Sequence, residues 1–208
     1  MKLIKDYIRV YDDVIDKDLC GQLIDCMDTN PDLHQRIESD LRPQCTQFNF
    51  TKLYQEDKVK WEPMHYLLQA AYMGCINLYK IEAGVKEKFQ DAVALEEFRI
   101  TKYNSSFQDD CTLPSGHSDQ DKEHVDVQDY NSARRYLGMI LYLSEPNEGE
   151  DVFPHINYYI KPKCGRMLVF PSNWMFPHLS KPCRKTAKYQ VGSYLHCLLY
   201  TSPSPRDS

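Results

Sequence analysis

The chain has 208 residues, of which 42% are apolar, and 25 basic residues against 30 acidic ones give a formal net charge of -5. This length and composition fit one domain with a substantial core and exclude a disordered chain. The acidic balance disfavours a nucleic-acid binder that works through bulk positive charge. No stretch approaches the roughly 18 apolar residues of a membrane span, so we expect no membrane association.

Residues 1–6 contain no apolar signal segment, which favours a cytoplasmic protein over a secreted one. The eight cysteines include no pair with CxxC spacing, which argues against a zinc ribbon or a thioredoxin-type site. In the cytoplasm we expect these cysteines to be reduced thiols.

The first third of the chain is predicted to be helical around one short strand, Tyr7–Tyr11. Asp16 or Asp18 can cap a helix whose apolar residues recur at helical spacing, and Asn30–Pro31 ends it. The polar stretch 34–60 shows no pattern that favours either helix or strand.

A second amphipathic helix is predicted with Pro63 in its first turn, where proline is tolerated, and with Gly84 as its stop signal. Its apolar residues keep the helical period between these two points. We interpret both helices as packing elements, because their methionine and tyrosine content needs no cofactor to explain it.

Beyond about residue 95 the pattern changes to strands. Alternating or continuous apolar segments predict strands over residues 98–103, 136–143, 156–160, 166–170 and 189–195. The continuous run 136–143 is typical of a strand covered on both faces. Several short strands without intervening helices favour a sandwich or barrel over a doubly wound sheet.

The last residues, 197–208, change abruptly from a strand pattern to a Ser/Pro-rich tail that resembles the translation of a transposase sequencing adapter. We therefore expect this tail to be non-native and residues 1–196 to form a single domain. The native sequence that follows His196 is then unknown.

Candidate metal ligands occur in the second half of the chain. His124 and Asp126 lie two residues apart, so on an extended segment their side chains share one face. His178 follows a predicted strand after a short connection. Two histidines and one carboxylate form the facial triad that holds non-haem Fe(II) and leaves other coordination positions open. A second HxD pair, His117 and Asp119, is an alternative to the first.

An ordered set of short motifs surrounds these residues. It comprises HxD at 124–126, YLS at 142–144, G-E-x-x-F at 149–153, PxxxxxPH at 171–178 and K-Y at 188–189. With this set the chain, from about Tyr103 to His196, resembles the 2-oxoglutarate- and Fe(II)-dependent dioxygenases, specifically their prolyl 4-hydroxylase-like branch.

The resemblance implies an α+β, mainly β fold: a double-stranded β-helix (jelly roll) core over residues 96–196 with N-terminal supporting helices in residues 1–95. It implies that the catalytic metal ligands are His124, Asp126 and His178. It further implies that Lys188 and Tyr142 bind the distal carboxylate of 2-oxoglutarate, that Tyr103 lines the cosubstrate pocket, and that Arg135 contacts substrate.

The cofactors implied by the resemblance are Fe(II), 2-oxoglutarate as cosubstrate and O₂, with ascorbate in a supporting role. The implied reaction hydroxylates an unactivated C–H bond and releases succinate and CO₂. The resemblance favours a peptidyl proline as substrate, and a small molecule is a further candidate. A nucleic-acid substrate is not expected, because the arginine-rich signature of that branch does not follow His178.

Several alternatives stay open at the level of sequence. His124 and Asp126 are preferred over His117 and Asp119, because the shorter connection to Tyr142 fits the family register. Nearby cations could take the role of Lys188, namely Lys181, Arg184 and Lys185. A catalytically silent jelly roll that binds a metal or ligand, or a viral structural protein, could also carry this pattern by chance. The oligomeric state is not predicted.

Overall fold

A computed structural model describes residues 2–38, 44–89, 93–105 and 119–197. Over these ranges no helix combines the length and apolar character needed to cross a bilayer. His117 and most of the tail, residues 198–208, lie outside the described residues.

The described part of the chain contains three α-helices and twelve strands. The helices are α1 (Lys17–Asp28), α2 (Phe50–Glu56) and α3 (Lys58–Glu82). The strands of the first half are β1 (Arg9–Tyr11), β2 (Gln35–Ile37), β3 (Cys45–Asn49), β4 (Val93–Leu95), β5 (Arg99–Tyr103) and β6 (Asp121–His124). Those of the second half are β7 (Arg135–Tyr142), β8 (Asp151–Phe153), β9 (Tyr158–Ile160), β10 (Met167–Pro171), β11 (His178–Ser180) and β12 (Lys188–Cys197).

These strands form two antiparallel sheets. The larger has the order β1-β10-β7-β12-β5-β3-β2, with β4 paired to the end of β12. The smaller has the order β6-β11-β8-β9. An apolar cluster between the two sheets includes Phe170 from the larger and Phe153 from the smaller, with ring centroids 5.2 Å apart. The arrangement confirms the predicted jelly-roll core with supporting helices.

Alternation along the central strands explains how the larger sheet is covered on both faces. In β7, Leu137, Met139 and Leu141 face the helices, whereas Tyr142 faces the smaller sheet. The helical layer is tied to the sheet by Tyr72 of α3, whose hydroxyl donates a 2.7 Å hydrogen bond to the Val191 carbonyl. The prediction of a strand buried on both faces is therefore confirmed.

The N-terminal helices follow their sequence signals with one exception. Asp16 caps α1 by accepting a 2.7 Å hydrogen bond from the Leu19 amide. Gly84, at φ +64°, follows the end of α3 as predicted. The placement of Pro63 in a first turn is wrong, because α3 begins at Lys58, where Asp57 caps the helix by accepting from the Lys60 amide.

The predicted strand Tyr7–Tyr11 is present as β1, but the first third is less helical than predicted, because β2 and β3 also belong to the larger sheet. The stretch 34–60 holds two short strands, β2 and β3, followed by the short helix α2 and the start of α3, so no single periodicity extends over it. The strand predicted over 156–160 is shorter, since Pro154–Ile156 form a 3₁₀ turn and pairing starts at Tyr158. Proline cannot donate a ladder hydrogen bond, which is consistent with this late start.

Candidate metal centre and cosubstrate pocket

Three predicted ligands converge at the edge of the smaller sheet. His124 on β6 and His178 on β11 are direct cross-strand partners, and their ring centroids are 4.4 Å apart. The Nε2 atoms of His124 and His178 lie 3.8 Å and 3.9 Å from Asp126 Oδ1. One ligand atom from each residue lies within 4.8 Å of the others, a spacing that a single metal ion can bridge.

Backbone hydrogen bonds orient both imidazoles toward this point. His124 Nδ1 lies 2.8 Å from the Lys122 carbonyl oxygen, and His178 Nδ1 lies 3.1 Å from the Phe176 carbonyl oxygen. A carbonyl only accepts, so Nδ1 carries the proton in each ring and the Nε2 lone pair is left for a metal. Metal-binding histidines use this arrangement because it fixes both tautomer and ring direction.

Asp126 is held with one oxygen still free. Its Oδ1 accepts a 2.7 Å hydrogen bond from the Tyr194 hydroxyl, whereas its Oδ2 is buried and has no hydrogen-bond partner among the described residues. A buried carboxylate oxygen without a partner carries a desolvation cost that metal binding would offset. Two imidazole nitrogens and this carboxylate are the donor set that suits non-haem Fe(II), so the residues present fit that ion.

Gly138 of β7 makes room for the free oxygen of Asp126. A Cβ at this position would lie 3.0 Å from Asp126 Oδ2 and 2.8 Å from the buried ring of Phe170. We expect Gly138→Ala to lower the affinity for Fe(II) or Co(II) by about tenfold or more, since a displaced ligand weakens a site at least as much as a lost outer-shell partner. Equilibrium dialysis of the two metals measures the effect.

Gly192 on the neighbouring strand β12 provides the control. Of the atoms in the described ranges, an added Cβ there meets only the Arg99 carbonyl oxygen, at 4.0 Å. Gly192→Ala should leave metal affinity unchanged, and equal losses in both variants would show that Gly138 has no special relation to Asp126.

A cavity of about 670 Å³ opens beside the three ligands. Tyr103, Arg135, Asp121 and Gln190 are among the side chains that line it. Burial raises the pKa of the Asp121 carboxyl to about 6, and the neighbouring carboxylate of Asp151 adds to the effect. Burial also raises the pKa of the Tyr103 phenol, so this group stays protonated and able to donate.

Lys188 and Tyr142, predicted to bind the cosubstrate, lie behind the Tyr103 side of this cavity. The ammonium of Lys188 is 4.7 Å from the centroid of the Tyr103 ring, and its side chain is fully buried. Lys188 contacts Asp151 at 3.5 Å, and the Tyr142 hydroxyl donates a 2.5 Å hydrogen bond to the same carboxylate. Among the residues described, neither Lys188 nor Tyr142 lines the cavity itself.

Arg135, predicted to contact substrate, lines the cavity but is also paired within the chain. Its guanidinium donates to both oxygens of Glu96, at 2.7 Å and 3.2 Å, and lies 3.9 Å from the centroid of the Tyr194 ring. Its Nη1 donates to the Asp126 carbonyl oxygen at 3.3 Å. Arg135 therefore connects the backbone of Asp126, a predicted metal ligand, to Glu96 in the connection between β4 and β5.

The alternative ligand pair is only half described, because His117 lies outside the described residues. Asp119 is buried and engaged elsewhere: the Arg36 guanidinium donates to both its oxygens, at 2.7 Å and 2.8 Å. The backbone amide of Asn104 donates to it as well, at 2.9 Å. The carboxylate of Asp119 thus has a structural role in joining the edge strand β2 to the end of β5.

Two functional candidates are not found by the sequence reasoning. Tyr194 holds Asp126, and Asp151 holds Lys188 and Tyr142. Tyr194 could have been noted from its alternation with Gly192 and Gln190 on β12. Asp151 occupies a variable position of the G-E-x-x-F motif, so no sequence signal marks it.

Residues 111–196 match the family model of the 2OG-Fe(II) oxygenase superfamily. No curated protein matches the chain. Among solved structures, a viral collagen prolyl hydroxylase from Paramecium bursaria Chlorella virus-1, in its 2OG complex, superposes with a TM-score of 0.67 at 17% identity, over 92% of this chain and 97% of that one.

Two cellular enzymes show the same likeness. A prolyl-4-hydroxylase of Pseudomonas putida gives a TM-score of 0.61 at 15% identity, over 93% of this chain and 94% of that one. A prolyl hydroxylase from Trichoplax adhaerens, in complex with a hypoxia inducible factor peptide fragment, gives 0.64 at 12% identity, over 92% and 84%. The resemblance to the 2-oxoglutarate- and Fe(II)-dependent dioxygenases is thus confirmed, by the family match within residues 111–196 and by a prolyl hydroxylase-like fold across most of the chain.

Proposed function

We propose that this protein is an Fe(II)- and 2-oxoglutarate-dependent dioxygenase that hydroxylates an unactivated C–H bond, with a peptidyl proline as its substrate. The observation that carries the proposal is the convergence of two Nε2 atoms on the buried carboxylate of Asp126, one oxygen of which has no partner in the described part of the chain. This donor set opens onto a cavity large enough for a small cosubstrate and part of a peptide.

In this proposal His124, Asp126 and His178 hold the iron. Three protein ligands leave the remaining coordination positions for cosubstrate and O₂. The iron, when bound, supplies O₂ activation coupled to the decarboxylation of 2-oxoglutarate to succinate and CO₂. The backbone carbonyls behind both imidazoles and the Tyr194 hydroxyl behind Asp126 keep the ligand atoms aimed at one point.

The other predicted residues have positioning roles in this proposal. Tyr103 borders the cosubstrate next to the metal, and Lys188 with Tyr142 provides the cationic and hydroxyl groups at its far end. Arg135 faces the cavity and can orient a substrate carbonyl with the guanidinium hydrogens that Glu96 does not use.

A peptide substrate is supported by the surroundings of the cavity. The loop after Asp126 lines the cavity through Gln128 and Asn131, and between them Tyr130 is 91% exposed. Trp174, in the loop that precedes His178, is 78% exposed. Exposed aromatic rings in the loops next to Asp126 and His178 suit contact with proline rings, which is the recognition used for proline-rich peptides. The solved Trichoplax enzyme also carries a peptide.

We further propose that the described residues fold as a single domain. β1, β2, β3 and β4, from the region expected to be helical support, hydrogen-bond into the larger sheet. The N-terminal part is therefore not a separable unit, because it contributes strands to the larger sheet, which carries Tyr103, Tyr142 and Lys188.

The test is succinate formation by purified protein with Fe(II), 2-oxoglutarate, O₂ and ascorbate, with and without proline-containing peptides. We expect slow succinate release alone and faster release with a peptide that is hydroxylated at proline. The matched control is the same peptide with alanine in place of proline. Bound iron without any succinate would instead favour a catalytically silent metal-binding jelly roll.

A further inference from the structure

Asp151 is a buried carboxylate at the far end of the proposed cosubstrate site. It lies on β8, the strand that pairs with β11, and its side chain is 3% exposed. Its Oδ1 accepts a 2.5 Å hydrogen bond from Ser180, and its Oδ2 accepts a 2.5 Å hydrogen bond from Tyr142. Lys188 Nζ lies 3.5 Å from Oδ1.

The donors in this cluster are fully used. An ammonium has three hydrogens, and those of Lys188 are directed at the Gly149 carbonyl, the Ser180 hydroxyl and the Asp151 carboxylate. Tyr142 has one hydrogen, which Asp151 accepts. The two groups expected to receive the distal carboxylate of 2-oxoglutarate are therefore already bound to a carboxylate of the protein itself.

The charge of the cluster leads to the same conclusion. Lys188 and Asp151 form a buried pair of zero net charge, and Asp121 adds a further carboxyl to the cavity wall. A second carboxylate brought to Lys188 would leave one uncompensated negative charge in a desolvated environment. Binding of that carboxylate is then opposed by Asp151, although Lys188 on its own would favour it.

We propose that Asp151 is a specificity-determining residue that weakens the selection for the distal carboxylate of the cosubstrate. The inference depends on the proposed function, since it assigns this end of the pocket to a 2-oxo acid. Its consequence is a site that accepts 2-oxo acids lacking a second carboxylate nearly as well as it accepts 2-oxoglutarate.

The experiment compares 2-oxoglutarate with 2-oxobutyrate, which keeps the metal-chelating end but lacks the distal carboxylate. Each is titrated calorimetrically into Mn(II)-loaded protein, so that binding is measured without turnover. For the unmutated protein we expect the dissociation constants to differ by less than about tenfold, because the gain of a charge-assisted pair is offset by Asp151. A preference for 2-oxoglutarate above about 100-fold would overturn the proposal.

Two variants test the residue directly. Asp151→Asn and Asp151→Thr remove the charge and free Lys188, so each should raise the preference for 2-oxoglutarate at least about tenfold. The threonine variant is included because an asparagine NH₂ group directed at the Lys188 ammonium would repel it, whereas a threonine hydroxyl can accept a hydrogen bond from it. Thermal unfolding checks that each variant is folded before its titration is interpreted.

Glu150→Gln is the matched control, since it removes the same charge one residue away. The Glu150 carboxylate pairs with Lys181 at 3.8 Å rather than with Lys188, so this variant should leave the preference unchanged. An unchanged or lowered preference in folded Asp151 variants would overturn the proposal. The absence of binding by any 2-oxo acid to Mn(II)-loaded protein would instead contradict the proposed function, which keeps the two failures distinct.

Discussion

Asp126→Ala is expected to reduce succinate formation at least about 100-fold, since the loss of even an outer-shell partner costs a metal site about 10–100-fold. Asp126 supplies the only carboxylate within the described group of three ligands. Its loss leaves two neutral imidazoles, which cannot neutralise the charge of Fe(II). Bound iron per chain, measured after dialysis, should fall together with turnover.

Glu123→Gln is the matched control for this substitution. Glu123 lies in the same segment, but its side chain is half exposed and pairs with His155 at 3.3 Å. We expect turnover and bound iron close to those of the unmutated protein. More than a tenth of the original turnover in Asp126→Ala would show that the ligand set is wrong.

Asp119→Ala should lower stability rather than iron binding, by about 2–4 kcal/mol in the free energy of unfolding. The side chain of Asp119 is 2% exposed and accepts both hydrogen bonds of the Arg36 fork. Hydrogen bonding to Asp119 raises the pKa of the Arg36 guanidinium, as expected for a charged pair. Urea denaturation measures the loss.

Glu38→Gln is the matched control, because Glu38 also contacts Arg36, at 3.1 Å, but its side chain is 65% exposed. An exposed pair contributes little, so the expected change is below about 1 kcal/mol. If Asp119→Ala instead kept its stability and lost its iron, the alternative ligand pair with His117 would be the correct one.

The fold was predictable where one face of an element is buried throughout its length. The apolar run of β7 indicated a strand between two layers, and Asp16 indicated where α1 begins. The edge of the larger sheet was not predictable, because β2 and β3 are short and mostly half-buried. Periodicity is weak in such strands, since only part of their surface is removed from water.

The candidate site followed from spacing and from the family resemblance more than from periodicity. The direct pairing of His178 with His124 depends on the register of β11 against β6, which no local pattern fixes. Asp151 and Lys188 lie 37 residues apart in the chain. Their contact depends on how β8 and β11 pack against the start of β12. Such long-range polar contacts carry no local signal.

The position of β12 has a consequence for how the chain is made. β12 comes last among the described strands, yet it lies in the middle of the larger sheet, between β7 and β5, and also pairs with β4. On the ribosome, β5 and β7 therefore each keep one unpaired edge until residues 188–197 have left the exit tunnel. During synthesis these edges are open to pairing with other nascent chains, so dependence on chaperones should be greatest in the interval before β12 emerges.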